Sequence, residues 1–164
     1  MTSAENSSLV YAGEVRIETA HLGELRWDAA SELFLPGGLP GFEEERRMIP
    51  VEIPAQRPLI FLQSAARSRV CFVSLPVLTI CPEFNLELSE EDRAALMLAE
   101  EAPQIGADVL CLALLCPSGG TVKANLDAPV VINLHNSRCV QSLRQERDRG
   151  YYRLNEPAAW ERVC

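Results

Sequence analysis

Long apolar runs, histidines and closely paired cysteines are scarce in this sequence, and each scarcity excludes a class of protein. The longest apolar stretch, Val109–Cys116, has about 8 residues, far short of the roughly 20 that a membrane-spanning helix needs. Met1–Ser8 is polar and contains no apolar signal core. We therefore expect a cytoplasmic protein that does not contact a membrane.

The cysteines and histidines are not spaced as metal or catalytic sites usually are. Cys111 and Cys116 are separated by four residues, and no second pair has a matching spacing. His21 and His135, the two histidines, both fall in predicted turns, so a base beside a nucleophile such as Cys139 is not expected. We predict no enzyme, no cofactor and no metal site, and we expect the six cysteines to be mostly reduced, buried thiols.

Positive charge is also in short supply. Lysine and arginine total 15 against 23 aspartates and glutamates, which gives a net charge of -8. Nucleic-acid binding is driven by clustered lysine and arginine, so direct contact with DNA or RNA is not expected. A basic protein is the more plausible kind of partner, because opposite charges steer association.

What the sequence does contain is apolar alternation, which predicts a mostly β protein. Val109–Leu115 is continuously apolar and is typical of a strand that is buried on both faces. Ser89, followed by three acids, predicts the start of a helix over Glu90–Glu100. The predicted strands are 14–17, 23–27, 33–35, 46–53, 59–63, 70–75, 109–115, 121–126, 130–134 and 139–143. We expect about nine or ten antiparallel strands in a small barrel-like domain, with one short helix near residues 90–100.

Three segments stand out from this background. Thr121–Leu134 alternates like a strand and is interrupted at Asp127-Ala128-Pro129, where proline has no amide hydrogen to donate. Pro36–Phe42 is rich in glycine and proline, which predicts a shaped loop. It is either a turn that carries Phe42 into the core or a presented binding loop. Leu59–Gln63 is a predicted strand, and with Ser64 it ends in the sequence Leu-Gln-Ser.

These three segments, in this order, resemble the signatures of FliW, a family of bacterial flagellar assembly factors. Asn125–Asn133 is similar to the family's "NL.AP.VIN" signature, Phe34–Glu43 to its "F..G.PGFE" segment, and Leu62-Gln63-Ser64 to its "LQS" strand. The sequence departs from the family's "F..PDY" segment, because Glu83 and Phe84 replace the usual aspartate and tyrosine. The resemblance implies one domain over residues 13–154, between a disordered tail at 1–12 and a mobile tail at 155–164.

The resemblance also implies partners and a function. FliW-like proteins bind CsrA, a regulator that represses mRNA translation, and antagonise it without occupying its RNA site. They also bind flagellin, which couples flagellin synthesis to flagellum assembly. We therefore expect CsrA and flagellin as partners.

The candidate contact residues are the acids and the amide beside two of the family motifs. They are Glu43, Glu44, Glu45, Asn125 and Asp127. Three adjacent carboxylates are either a solvated face or an acidic patch for a basic partner. Two other readings stay open: a cysteine-dependent enzyme or redox sensor on a β scaffold, and a FliW-like scaffold that has lost CsrA binding.

Overall fold

The structure is a computed structural model that describes residues 13–99, 102–143 and 151–153. The expected tails at 1–12 and 155–164 lie outside these residues. The strands are β1 (Glu14–Thr19), β2 (Gly23–Asp28), β3 (Leu33–Phe34), β4 (Arg47–Glu52), β5 (Ile60–Ser64), β6 (Cys71–Pro76), β7 (Val109–Ser118), β8 (Thr121–Asn133), β9 (Cys139–Gln141) and β10 (Tyr151–Arg153). The helices are α1 (Val77–Ile80) and α2 (Glu90–Leu96).

The main sheet is antiparallel and curls until it nearly closes. Its order is β10-β8-β7-β6-β5-β4-β3, and β9 pairs with β8 over residues 130–132. The amide of Phe34 in β3 donates to the carbonyl of Ser137 at 2.9 Å, which brings β3 beside the chain that enters β9. The predicted mostly β, barrel-like fold is confirmed. β1 and β2 form a separate two-stranded hairpin.

The two faces of the sheet carry two separate clusters of buried residues. The inner core fills the barrel and includes Leu62, Leu112 and Val130. The outer core lies beneath the two helices and the chain around them, and it includes Leu96 and Cys111. Both faces of β7 are therefore covered from residue 109 to residue 113, as its unbroken apolar run predicted.

The interruption at Asp127-Ala128-Pro129 is a wide irregularity inside one strand rather than a turn between two. Leu112 pairs with Val130, whereas Leu114 pairs with Asn125, so β8 advances five residues while β7 advances two. The surplus of three is odd, and side chains alternate along a strand, so it inverts the facing of β8. Ala124 consequently packs in the outer core, while Val130 packs in the inner core.

The turn between β7 and β8 follows from glycine chemistry. Gly119 and Gly120 have φ values of 57° and 80°, which suit a two-residue hairpin turn that other residues rarely adopt. The turn joins β7 and β8 in an antiparallel hairpin.

The helical prediction needs two corrections. α2 begins at Glu90, where the Ser89 side chain accepts from the amide of Asp92 at 3.0 Å, but it ends at Leu96 instead of Glu100. Met97 takes a left-handed conformation with φ 53°, and its amide bonds back to Ala94. A second helix, α1, is a single turn that was not predicted from the sequence. None of the helices in the described part of the chain has the length and hydropathy of a membrane span.

Candidate functional site

The first family motif forms a compact loop that exposes Phe42. Leu39 is 1% exposed and exchanges backbone hydrogen bonds with Phe42, at 3.2 and 2.7 Å. Phe42 is 41% exposed, and its ring meets the edge of Phe72 with centroids 5.0 Å apart. Of the two readings of this loop, burial of Phe42 is therefore wrong, because Leu39 occupies the core instead.

The second family motif holds the irregularity in β8. The Asn125 side-chain oxygen accepts from the amides of Asp127 and Ala128, at 3.0 and 3.2 Å. Gln141 of β9 donates its side-chain amide to the carbonyl of Ala128 at 3.0 Å. Asn125 thus shapes the backbone locally, and the irregular segment is fixed against β9.

The end of this motif and the chain that follows it hold both ends of α2. At the C-terminal end, Asn133 and Asn136 donate to the carbonyl of Leu96 at 2.9 and 3.0 Å, and Arg138 Nε donates to the carbonyl of Ala95 at 2.6 Å. The last carbonyls of a helix lack partners within it, so these side chains satisfy them.

At the other end of α2, the Ser142 hydroxyl donates to the Asp92 carboxylate at 2.8 Å. The helix is therefore held at both ends by the chain around β9. Its acidic first turn is presented from a fixed position.

These elements meet at a cavity of about 370 Å³, which we call the loop–helix cleft. The loop supplies one wall, the first turns of α2 supply another, and β9 supplies the third. The lining residues are Pro36, Gly37, Gly38, Pro40, Glu91, Asp92, Ala95, Cys139, Val140 and Gln141. The cleft therefore brings the loop motif next to the strand that holds the second motif. Glu91 is exposed, and its carboxylate gives the cleft an acidic edge.

The predicted site residues occupy three different environments. Glu43 is exposed, and its carboxylate accepts from the amide of Gly41 at 3.1 Å. This contact and its own backbone amide lower the pKa of Glu43 below its ordinary value, the bond to its own backbone amide having the larger effect. Glu44 is exposed and pairs with Arg67. Asp127 is half-buried in the irregular segment of β8.

Glu45 differs from its two neighbours, because its side chain is only 2% exposed. It accepts from the hydroxyl of Ser64, and its second oxygen lies 3.2 Å from Arg67 Nε. The reading of Glu43–Glu45 as one solvated face is therefore wrong at Glu45. The sequence gives no local signal for this, because both partners lie on and after β5. A contact role for the five predicted residues stays a prediction.

A second cavity, of about 400 Å³, is lined by Leu78, Phe84, Leu88, Arg93 and Ile105 among others. Phe84 stands where the family has a tyrosine, and here it is 8% exposed. The departure from the family pattern therefore adds apolar surface to this cavity.

Three of the cysteines in the described part of the chain are poorly suited to thiol chemistry. Burial raises the pKa of Cys111 and of Cys139 to about 12, and it also raises the pKa of Cys71, which disfavours the reactive thiolate. Cys139 contacts the carbonyl of Ser137, while His135 lies 3.6 Å from Asp108. These contacts do not form a nucleophile–base pair.

One of the described cysteines is oxidised and four are free thiols. Cys81 is disulfide-bonded, so the expectation of reduced thiols is wrong at that position, whereas Cys71, Cys111, Cys116 and Cys139 are free. Within the described ranges, no group of three or more metal-ligating side chains is arranged around a common point.

Comparison with known proteins gives consistent matches. A family model described as "FliW protein" matches residues 16–155. A "Flagellar assembly factor FliW" from Shouchella clausii is 29% identical over 143 residues, which cover 87% of this chain and 94% of the relative. One from Anoxybacillus flavithermus is 31% identical over 123 residues, covering 74% and 81%. A crystal structure of "the flagellar assembly factor FliW" superposes with a TM-score of 0.74 at 24% identity, covering 85% of this chain and 96% of that one.

Proposed function

Because this chain belongs to the FliW family of flagellar assembly factors, we propose that it acts in the cytoplasm by binding CsrA and flagellin. In this proposal it antagonises CsrA allosterically and couples flagellin synthesis to flagellum assembly. Flagellin that accumulates in the cell occupies the protein and frees CsrA, which then represses flagellin synthesis. Secretion of flagellin reverses the effect. The proposed role is that of a binding protein rather than an enzyme.

The observation that carries the CsrA part is the acidic edge of the loop–helix cleft. The loop motif lies there beside Glu91 and next to β9, the strand that holds the second motif, and the exposed Glu43 and Glu44 follow directly in the same loop. The net charge of -8 has the sign that complements a basic partner. A protein that binds RNA phosphates presents such a basic surface.

The charge also supplies a physical route to antagonism without steric blocking. An acidic protein docked beside an RNA site adds a field that repels the phosphate backbone. This field weakens with salt, because exposed charges more than about 8 Å apart are largely screened at physiological ionic strength. The antagonism should therefore be strongest at low salt.

Calorimetry with CsrA from the same cell, at two salt concentrations, tests the proposal. We expect binding that weakens as salt rises. A Glu44→Lys, Glu91→Lys double variant should lose affinity by about tenfold or more, since each 1.4 kcal/mol of binding energy is a factor of ten. Glu45 and Asp92 are left intact, because their carboxylates accept internal hydrogen bonds.

The matched control is the Glu52→Lys, Glu83→Lys variant, which makes the same charge change at two exposed acids outside the cleft. It should lose much less affinity. Equal losses in the two variants would mean that only net charge matters. No binding by the folded wild-type protein would refute the CsrA part of the proposal and leave flagellin to be tested in the same way.

A further inference from the structure

The loop that lines one wall of the cleft has little freedom of its own. Gly38 has φ 65°, and a Cβ atom built there would lie 2.6 Å from the carbonyl oxygens of Phe42 and Glu43. The chain therefore doubles back on itself so closely that only glycine fits. Leu39 is buried, and the amide of Glu45 donates to the carbonyl of Phe42 at 3.0 Å. The loop behaves as one unit whose placement depends on how its base is held.

That base is held by a buried carboxylate. Glu45 accepts a hydrogen bond from the Ser64 hydroxyl, at the end of β5. The same hydroxyl oxygen accepts from the amides of Ala66 and Arg67, at 3.1 and 2.9 Å. Ser64 is 0% exposed. One hydroxyl thus joins the end of the loop to the turn between β5 and β6.

Burial of the Glu45 carboxylate carries a cost in stability. The second oxygen of Glu45 is buried and has no hydrogen-bond partner, although Arg67 Nε lies 3.2 Å away as an ion-pair partner. Removing a carboxylate from water costs several kcal/mol in effective terms. Replacing a buried charged group together with its partners by apolar residues of similar volume is often neutral or stabilising, whereas removing one partner alone is destabilising. The geometry therefore suits a residue that fixes position at the expense of stability.

The position of the loop matters because the loop forms one wall of the loop–helix cleft. Its first half contributes Pro36, Gly37, Gly38 and Pro40 to the loop–helix cleft, while its end is tied to Ser64. From these contacts we infer that Glu45 is a positioning residue for the cleft: it sets the place of the loop wall from behind. This inference rests on the proposed function only for the identity of the partner. It replaces direct contact as the role of Glu45.

Hydrogen exchange of the free protein tests the positioning role without any partner. Ser64→Ala removes the hydroxyl, and we expect the amides of Leu39, Phe42 and Glu45 to exchange about tenfold faster or more, because local opening becomes easier. The matched control is Ser74→Ala, since Ser74 is also 0% exposed and its hydroxyl donates to the carbonyl of Ile60 at 2.7 Å. Ser74→Ala should leave these three amides unchanged.

Two substitutions at Glu45 separate positioning from general stability. In Glu45→Gln the side-chain oxygen can still accept from Ser64, so loop protection should stay within about threefold of the wild type. Glu45→Ala should lose protection and should lower CsrA affinity by about tenfold. Loop protection unchanged in both Ser64→Ala and Glu45→Ala would overturn the inference. A wild-type protein that does not bind CsrA would refute the proposed partner, while the exchange result would still decide the role of Glu45.

Discussion

The β7–β8 hairpin is buried on both faces at the end away from its turn, whereas the β1–β2 hairpin exposes most of its side chains to solvent. In β1–β2, Arg16 stands directly opposite Arg26, and Glu18 stands opposite Glu24. Like charges in such pairs are unfavourable, but exposure and screening keep the cost small. Glu24 also pairs with Arg26 on its own strand at 2.7 Å and diagonally with Arg16 across the hairpin at 3.9 Å, and these pairs offset part of it.

The contrast teaches that one backbone motif is stabilised here in two ways. β7–β8 is held by the apolar surface that it buries in the two cores. β1–β2 buries much less apolar surface and is anchored by polar contacts to the rest of the chain. Glu32 is the clearest of these contacts, because it accepts from Trp27 Nε1 at 2.8 Å and from Arg47 at 2.7 Å.

The largest effect is expected where β7 faces the inner core. Leu112 is 0% exposed and pairs with Val130. Leu112→Ala removes buried apolar surface and leaves a cavity, so the free energy of unfolding should fall by about 2–5 kcal/mol. Urea denaturation followed by circular dichroism measures it. A loss below about 1 kcal/mol would mean that the core collapses around the gap.

A smaller loss is expected at the point where β8 holds α2. Asn133 is 3% exposed, and its side chain bonds to the carbonyl of Leu96 and to the amide of His135. Asn133→Ala should lower the free energy of unfolding by about 1–3 kcal/mol, because buried polar groups lose their partner. The exposed Asn136 donates to the same carbonyl, so Asn136→Ala is the matched control and should cost less. Equal losses of unfolding free energy in the two variants would mean that only the hydrogen bond to the Leu96 carbonyl matters, and that the burial of Asn133 adds nothing.

The contact at Glu32 should make the free energy of unfolding depend on pH. The hydrogen bond from Arg47, the largest cause, holds the pKa of Glu32 below its ordinary value. A carboxyl group with a lowered pKa in the folded state contributes stability above its unfolded pKa and loses it as pH falls through the folded pKa. Glu32→Gln should cost about 1 kcal/mol at neutral pH and progressively less in acid.

Trp27 fluorescence during urea unfolding, in a Trp160→Phe background, measures this difference. The background removes the other tryptophan of the sequence. A difference between Glu32 and the glutamine variant that stays constant from neutral to acidic pH would contradict the role of the charge.

The smallest effect is expected at the exposed charges of β1–β2. Arg26→Ala removes the pair with Glu24, yet the free energy of unfolding should not change beyond experimental error, since exposed ion pairs contribute little. Urea denaturation at low and high salt checks this. A salt-dependent loss comparable to that of Asn133→Ala would show that surface charge does stabilise this hairpin and would remove the contrast.

The sequence predicts those features that depend on neighbouring residues. Gly119 and Gly120 indicate the turn, the apolar run after Val109 indicates the doubly buried strand, and Ser89 indicates the start of α2. The end of α2 was not predictable in this way. It depends on Asn133 and on other side chains about forty positions away, which satisfy its last carbonyls in place of a further helical turn.

The candidate site was predictable only in part, for the same reason. The loop, the irregular segment of β8 and the acids were identified from their own residues. The different environments of the acids were not predictable, because Glu45 is buried by Ser64 and Arg67, which come from another strand and its turn. The exposure of Phe42 likewise depends on Leu39 filling the core first.

The irregular segment of β8 contains three more residues than the facing part of β7, and this odd number restricts how the length of the segment can change. Removing one residue between Leu126 and Pro129 would make the surplus even, and one half of the strand would then present its apolar side chains to the wrong core. Removing or adding two residues would preserve the facing of both halves. In the genes of related proteins, insertions and deletions at this point should therefore come in pairs of codons.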